Sequence, residues 1–187
     1  MALTDEELER LRAISSDEQP DFIGEEFEQA KFGTVDACET DKSWAYIHSA
    51  LTGADPDGPL RMPEPKSSKK TSFFASLFGA KASTIANLEP PQGDERKAIM
   101  GGEALLDADD YYIGLTRSGD VAAVASALER VSNGELGQKI QNMHRRFDAS
   151  GSAEESADYA MGWYPDLVTF FRAAANANKH VIFTVDF

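Results

Sequence analysis

The chain is poor in the residues that most chemistries need. Among its 187 residues is one cysteine, Cys38, which leaves no internal disulfide and no multi-cysteine metal site. There are three histidines, His48, His144 and His180. No two of them are four apart and no His-Glu-x-x-His motif occurs, so no metal and no cofactor is expected. Basic residues are scarce too: 18 Lys and Arg stand against 32 Asp and Glu, a net charge of −14. Phosphate contacts need a net basic face, so nucleic acid is not an expected partner. No apolar run approaches the roughly 18 residues of a spanning helix. The opening MALTDEELER has neither the basic nor the apolar region of a secretory signal, and a cytoplasmic location is the expectation. Signature loops are missing as well. Met100-Gly101-Gly102-Glu103 is neither a phosphate loop nor a dinucleotide fingerprint and reads as a turn, and there is no Gly-x-Ser-x-Gly elbow.

What is present is enough for a core: 42% of the residues are hydrophobic and 10% aromatic. The length suits a single domain over 1–187. Thr4 followed by Glu7 predicts a capped helix over 4–14 with Leu8 and Leu11 inward. Residues 15–40 are acidic and weakly patterned, with Phe22, Phe27 and Phe32 as apolar anchors. Asp41 as cap, Trp44, Ile47 and Leu51 at helical spacing and Gly53 as stop predict a helix over 41–52. A short strand is expected over 96–101 and a second over 110–116, rich in Tyr and Ile. A helix follows from Ser118, stopped by Asn133-Gly134, and another runs from about Glu135 to Phe147. Pro165 should end a short helix over 154–162 and open a new one over 165–178, before a terminal strand from His180 to Phe187. The elements do not alternate regularly. The expected class is α+β, with several amphipathic helices packed on a small mixed sheet and a C-terminal strand.

Charge is uneven. From Arg61 to Ile85, five basic residues against Glu64 give a net +4 and leave −18 for the rest. This stretch falls in a loop-rich insert over 61–95. In it Lys66, Lys69, Lys70 and Lys81 flank Phe73, Phe74, Leu77 and Phe78. Phenylalanines at that spacing form one face of a short helix. Such a segment can pack on its own domain, or meet an acidic partner or, through residues 66–81, the periphery of a membrane.

Three stretches resemble the YfbM-like family, a mostly bacterial domain of unknown function. LTDEELERLRA at 3–13 is similar to the family's opening helix. DKSWAYIHSALTG at 41–53 is similar to its Asp-Lys-x-Trp…His…Leu-Thr-Gly signature and is the most specific of the three. IGLTRSGDVAAVASALERV, RRFD and the closing WYPDLVTFFRAAANANKHVIFTVDF are similar to its end. The resemblance covers most of the chain outside Arg61 to Asp94. Family members usually begin with an extra strand, whereas this chain is expected to start almost at the first helix, and the basic segment has no counterpart in the family. The resemblance implies an α+β domain with a mixed sheet and no particular activity.

Two groups of residues carry the functional expectations. Asp41, Trp44 and His48 share a helix face and, with Tyr112, Trp163 and Tyr164, are candidates for a ligand pocket. Each also has a plain role: Asp41 as a cap, the aromatics as packing, His48 as a core histidine. Lys66, Lys69, Lys70, Phe73, Phe74, Phe78 and Lys81 are candidates for an interaction segment. Cys38, between Asp36 and Glu39, is a poor nucleophile. No catalytic motif stands out. The expectation is a non-catalytic acidic protein-binding module, in one version an immunity-type protein neutralising a basic partner. A small-molecule-binding domain or enzyme with a pocket near Trp44, His48 and Trp163 is the alternative.

Overall fold

Thr4 starts the first helix of the computed structural model, which describes residues 1–55, 93–147, 149 and 151–186. Its hydroxyl accepts the Glu7 N–H at 3.2 Å, and the Glu7 carboxylate accepts the Thr4 N–H at 2.8 Å. This reciprocal cap fixes α1 at Asp5–Ala13, with Leu8 and Leu11 buried. The weakly patterned stretch after it is helical. It forms α2 (Gln19–Phe22), a π-helical turn (Ile23–Glu28) and α3 (Gln29–Lys31). Ile23 and Phe27 share the buried face, and Phe22 meets Phe27 edge-on at 5.2 Å. Lys31 reaches back to Glu7 at 2.7 Å. Phe32 is no anchor: the chain turns out of the helix there and leaves the ring 71% exposed.

Four strands form the sheet: β1 (Ala2–Leu3), β2 (Glu103–Asp107), β3 (Tyr111–Thr116) and β4 (His180–Asp186), in the order β1-β4-β3-β2. All three pairings are antiparallel, so the mixed sheet expected from the sequence is corrected. The reason is the path of the chain. It leaves β3 at Thr116 and re-enters β4 beside it, with Val181 opposite Thr116, so β4 must run back. His180 holds this end. Its Nδ1 accepts the Ser118 N–H at 3.0 Å, which leaves Nε2 to donate to the Asp5 carboxylate at 2.7 Å.

Alternation along β3 and β4 divides the core in two. Ile113, Leu115 and Ile182 face α1 and the π turn, meeting Leu8, Leu11, Ile23 and Phe27. Tyr112, Val181, Phe183 and Val185 face the other helices: α4 (Ser43–Thr52), α5 (Ser118–Arg130), α6 (Asn133–Phe147) and α7 (Ala153–Asn176). The strand expected over 96–101 is instead a 3₁₀ turn at Asp94–Lys97 followed by buried Ala98, Ile99 and Met100. Side chains satisfy that backbone: Thr116 donates to the Lys97 carbonyl and Tyr112 to the Met100 carbonyl, each at 2.9 Å. The loop-rich insert over 61–95 lies outside the described residues except for 93–95. Among the described residues, no helix is long and apolar enough to cross a membrane.

Two expected helix boundaries move. Asn133-Gly134 does not stop α5; it opens α6. Ser132 and Glu135 bond each other across that start, with the Ser132 N–H donating to the Glu135 carboxylate at 2.8 Å. Pro165 does not break the chain either. It lies inside the continuous α7. A proline at this position cannot donate to the carbonyl four residues earlier, that of Met161. The Asn133 side-chain amide donates to that carbonyl at 3.2 Å instead. Asn133→Ala is therefore expected to cost about 1 kcal/mol in the wild type. In a Pro165→Ala background the restored N–H serves Met161, and the cost should largely vanish. Urea unfolding of the four proteins measures this, and equal costs in both backgrounds would refute the assignment.

Candidate functional site

A groove of about 450 Å³ opens between β4, α7 and the start of α4. Residues 37–42 form one wall. The floor is apolar, with Trp44, Leu167, Phe170, Phe171 and Phe183 along it. Trp44 leans on Phe183 at 5.6 Å between ring centres. Around these stand the charged side chains Glu28, Glu39, Asp41 and Asp186 against Lys42. The alternation of β4 supplies Phe183, and the α4 spacing supplies Trp44. The bundle face of α7 supplies Leu167, Phe170 and Phe171, each of which also touches the core.

A second hollow, of about 970 Å³, lies on the opposite side of the end of β4. Among the described residues its charged side chains are Asp17, Asp21, Glu28, Asp110 and Asp186, none of them a cation. Glu28, Thr184, Val185 and Asp186 border both hollows.

The structure places the residues singled out by sequence in different surroundings. Asp41 is exposed at the groove wall, in the left-handed region at φ 41°. It does not cap α4, whose cap position is Lys42 with no side-chain bond. Instead the Tyr159 hydroxyl donates to its carboxylate. That bond, with the Lys42 N–H, holds the Asp41 carboxyl below its usual range. Tyr159 meets Trp163 edge-on at 6.5 Å, so Asp41, Tyr159 and Trp163 form one cluster next to Trp44.

His48, Tyr112 and Tyr164 lie apart from this cluster, in the core. Tyr112 is spent on the Met100 carbonyl, and Tyr164 donates to the Leu128 carbonyl at 2.9 Å. Burial raises the Tyr164 phenol well above its ordinary range. His48 is 4% exposed, and its Nδ1 has no partner among the described residues. Burial, helped by the Arg96 guanidinium, pushes it down to about 4. The interaction candidates Lys66, Lys69, Lys70, Phe73, Phe74, Phe78 and Lys81 lie outside the described residues.

Chemically the groove offers apolar surface and carboxylates. The one thiol in it, Cys38, is pushed up to about 11 by burial, with Asp166 and Glu39 adding to the effect, so it is protonated at neutral pH. Among the described residues no group of three or more His, Cys, Asp or Glu could hold a metal ion. Sequence reasoning did not single out Phe183, Glu28, Glu39 or Asp186. The alternating HVIFTVDF pattern marks the strand, but only the pairing shows which part of it lies beside a groove.

A family model described as a domain of unknown function, DUF1877, matches residues 1–184. Among solved structures, a protein of unknown function from Escherichia coli, YfbM, is similar, with a TM-score of 0.59 at 19% identity. The match covers 100% of this chain and 96% of that one, and at this identity it bears on the fold alone. Among curated proteins none matches.

Proposed function

We propose, for a chain that belongs to the DUF1877 family of YfbM-like domains of unknown function, that it is an acidic protein-binding module that receives a basic partner at the groove beside Trp44. The observation that carries this reading is the pairing of an apolar floor with an acidic rim: among the described residues, four carboxylates and the Lys42 ammonium group border the groove. An apolar centre inside a charged rim is the build of a protein-docking patch. The −14 net charge of the chain adds long-range attraction for a basic partner and speeds encounter. An immunity-type role, in which a basic protein is neutralised, is one form this takes.

Glu28 and Glu39 are exposed, with no side-chain bond among the described residues, so their reversal spares the core. Glu28→Lys with Glu39→Lys is expected to weaken binding of a lysine- and valine-containing decapeptide by about tenfold or more at low salt. Titration by fluorescence anisotropy reads this, with circular dichroism to verify the fold. Equal affinity of the double variant and the wild type would sink the groove as the docking site.

A further inference from the structure

Among the described residues, the strand that borders both hollows is only half covered. β1 pairs with β4 at Val181 and His180, and Met1 completes the ladder by exchanging bonds with Ile182 at 2.6 and 2.8 Å. The even residues of β4 therefore aim their N–H and C=O groups toward β1, and the odd ones toward β3. Thr184 and Asp186 aim the same way as Ile182, and among the described residues no strand pairs with them there. The other edge of the sheet is treated differently. Along β2 a bulge between Ala104 and Leu106 breaks the register, and Glu103 carries ion pairs to Arg12 and Arg117. Bulges and charges of this kind protect an edge from pairing. The end of β4 runs in unbroken register from Val181 to Asp186.

We infer that the Thr184–Asp186 edge of β4 takes an extended segment of the basic partner as an added strand, one in which apolar and basic side chains alternate. This rests on the protein-binding reading above and gives it a geometry. A strand laid beside β4 sends successive side chains to opposite faces of the sheet. On the face of Phe183 they enter the groove floored by Trp44, Phe170 and Phe171, which suits apolar groups. On the face of Thr184 and Asp186 they enter the hollow ringed by Asp17, Asp21 and Asp110, which suits Lys or Arg. Thr184 and Asp186 supply the main-chain bonds. The two hollows flank the same three residues, so one short strand reaches both.

The test uses the full chain and a decapeptide in which Lys and Val alternate. Two further versions are N-methylated, one on every Lys amide and the other on every Val amide. All residues of one type present their amides to the same side, so one methylation set faces β4 and the other faces solvent. One version should lose about tenfold or more in affinity, and the other should bind within about threefold of the parent. On binding the parent, exchange at the Thr184 and Asp186 amides should slow by about tenfold or more, while Phe183 and Val185, which point to β3, stay unchanged. If both methylated versions bind like the parent and exchange at Thr184 and Asp186 does not slow, strand addition is overturned while the protein-binding reading survives. A decapeptide of five Lys followed by five Val that binds as tightly as the alternating one overturns the alternation. If no basic peptide binds at low salt, both readings fall.

Discussion

Gly114→Val is expected to destabilise the fold by about 3 kcal/mol, a fall of about 10 °C in melting temperature for a chain of this size. Elsewhere in a strand the same change would help, since valine favours extended backbone. Here the space is taken. A Cβ on Gly114 would collide with the Met100 carbonyl oxygen and lie 2.7 Å from its carbon and 2.9 Å from the Tyr112 ring. Neither can give way freely. The Met100 carbonyl accepts the Tyr112 hydroxyl, and the next turn is tied by the Gly102 N–H to the Leu115 carbonyl at 2.9 Å. Gly101 faces the same crossing from the other side. It sits at φ +72°, and a Cβ there would be 2.6 Å from the Leu115 nitrogen. Two backbones thus pass at a distance that only glycine permits. Gly119→Ala in the first turn of α5 is the control, because nothing stands within 4 Å of its Cβ position. Thermal unfolding followed by circular dichroism decides it. A Gly114→Val protein that melts within about two degrees of wild type would mean that the crossing is looser than described.

The glycine pair also marks where sequence pattern stops being informative. Met100-Gly101-Gly102-Glu103 reads as a turn, and it is one, but the partner of Gly101 is Gly114, thirteen residues on and inside a strand. Nothing local pairs the two. The strongly periodic elements were legible because their cause is local. Thr4 and Glu7 cap α1, the Trp44–Ile47–Leu51 spacing makes α4, and the Tyr-rich stretch makes β3. The departures have distant causes. Pro165 stays helical because Asn133, on another helix, serves the carbonyl it strands. Residues 98–100 have strand-like composition, yet the Tyr112 bond to the Met100 carbonyl and the Thr116 bond to the Lys97 carbonyl just before them fix a buried turn. The groove is distant in the same sense. Trp44 and Asp41 were visible as a helix-face pattern, whereas Phe183, Glu28 and Asp186 join them only through the sheet and the π turn. His48 shares a face with Trp44 by spacing, but one turn further along α4 that face passes from the groove floor into the core.

His48 should give the fold a step of acid sensitivity that begins well above the range in which carboxylates titrate. Its folded value lies at about 4, lowered by burial first and by Arg96 second, while an unfolded histidine titrates near 6.5. Between those values the unfolded chain binds the extra proton. The contribution is therefore intact above about pH 6.5, falls as pH drops, and levels off below about pH 4. By linkage it amounts to about 3 kcal/mol in full, of which about 2 kcal/mol is gone at pH 5. Glu7 acts in a lower window. Burial raises its pKa, but the bonds from Lys31 and Thr4 outweigh that, so its support is present above the ordinary carboxylate value of 4.5 and fades only below it. The Met1 amino group, lowered by burial to about 5, also titrates between pH 7 and 5, so it is the comparison with a His48 variant that isolates the histidine. His48→Leu puts an apolar side chain at a buried position of α4 and removes an Nδ1 that has no partner among the described residues. Urea unfolding at pH 7 and pH 5 should show the wild type losing about 2 kcal/mol more than His48→Leu over that interval. Equal losses in the two proteins would mean that the imidazole takes up its proton inside the fold, and the buried site assigned to it would be wrong.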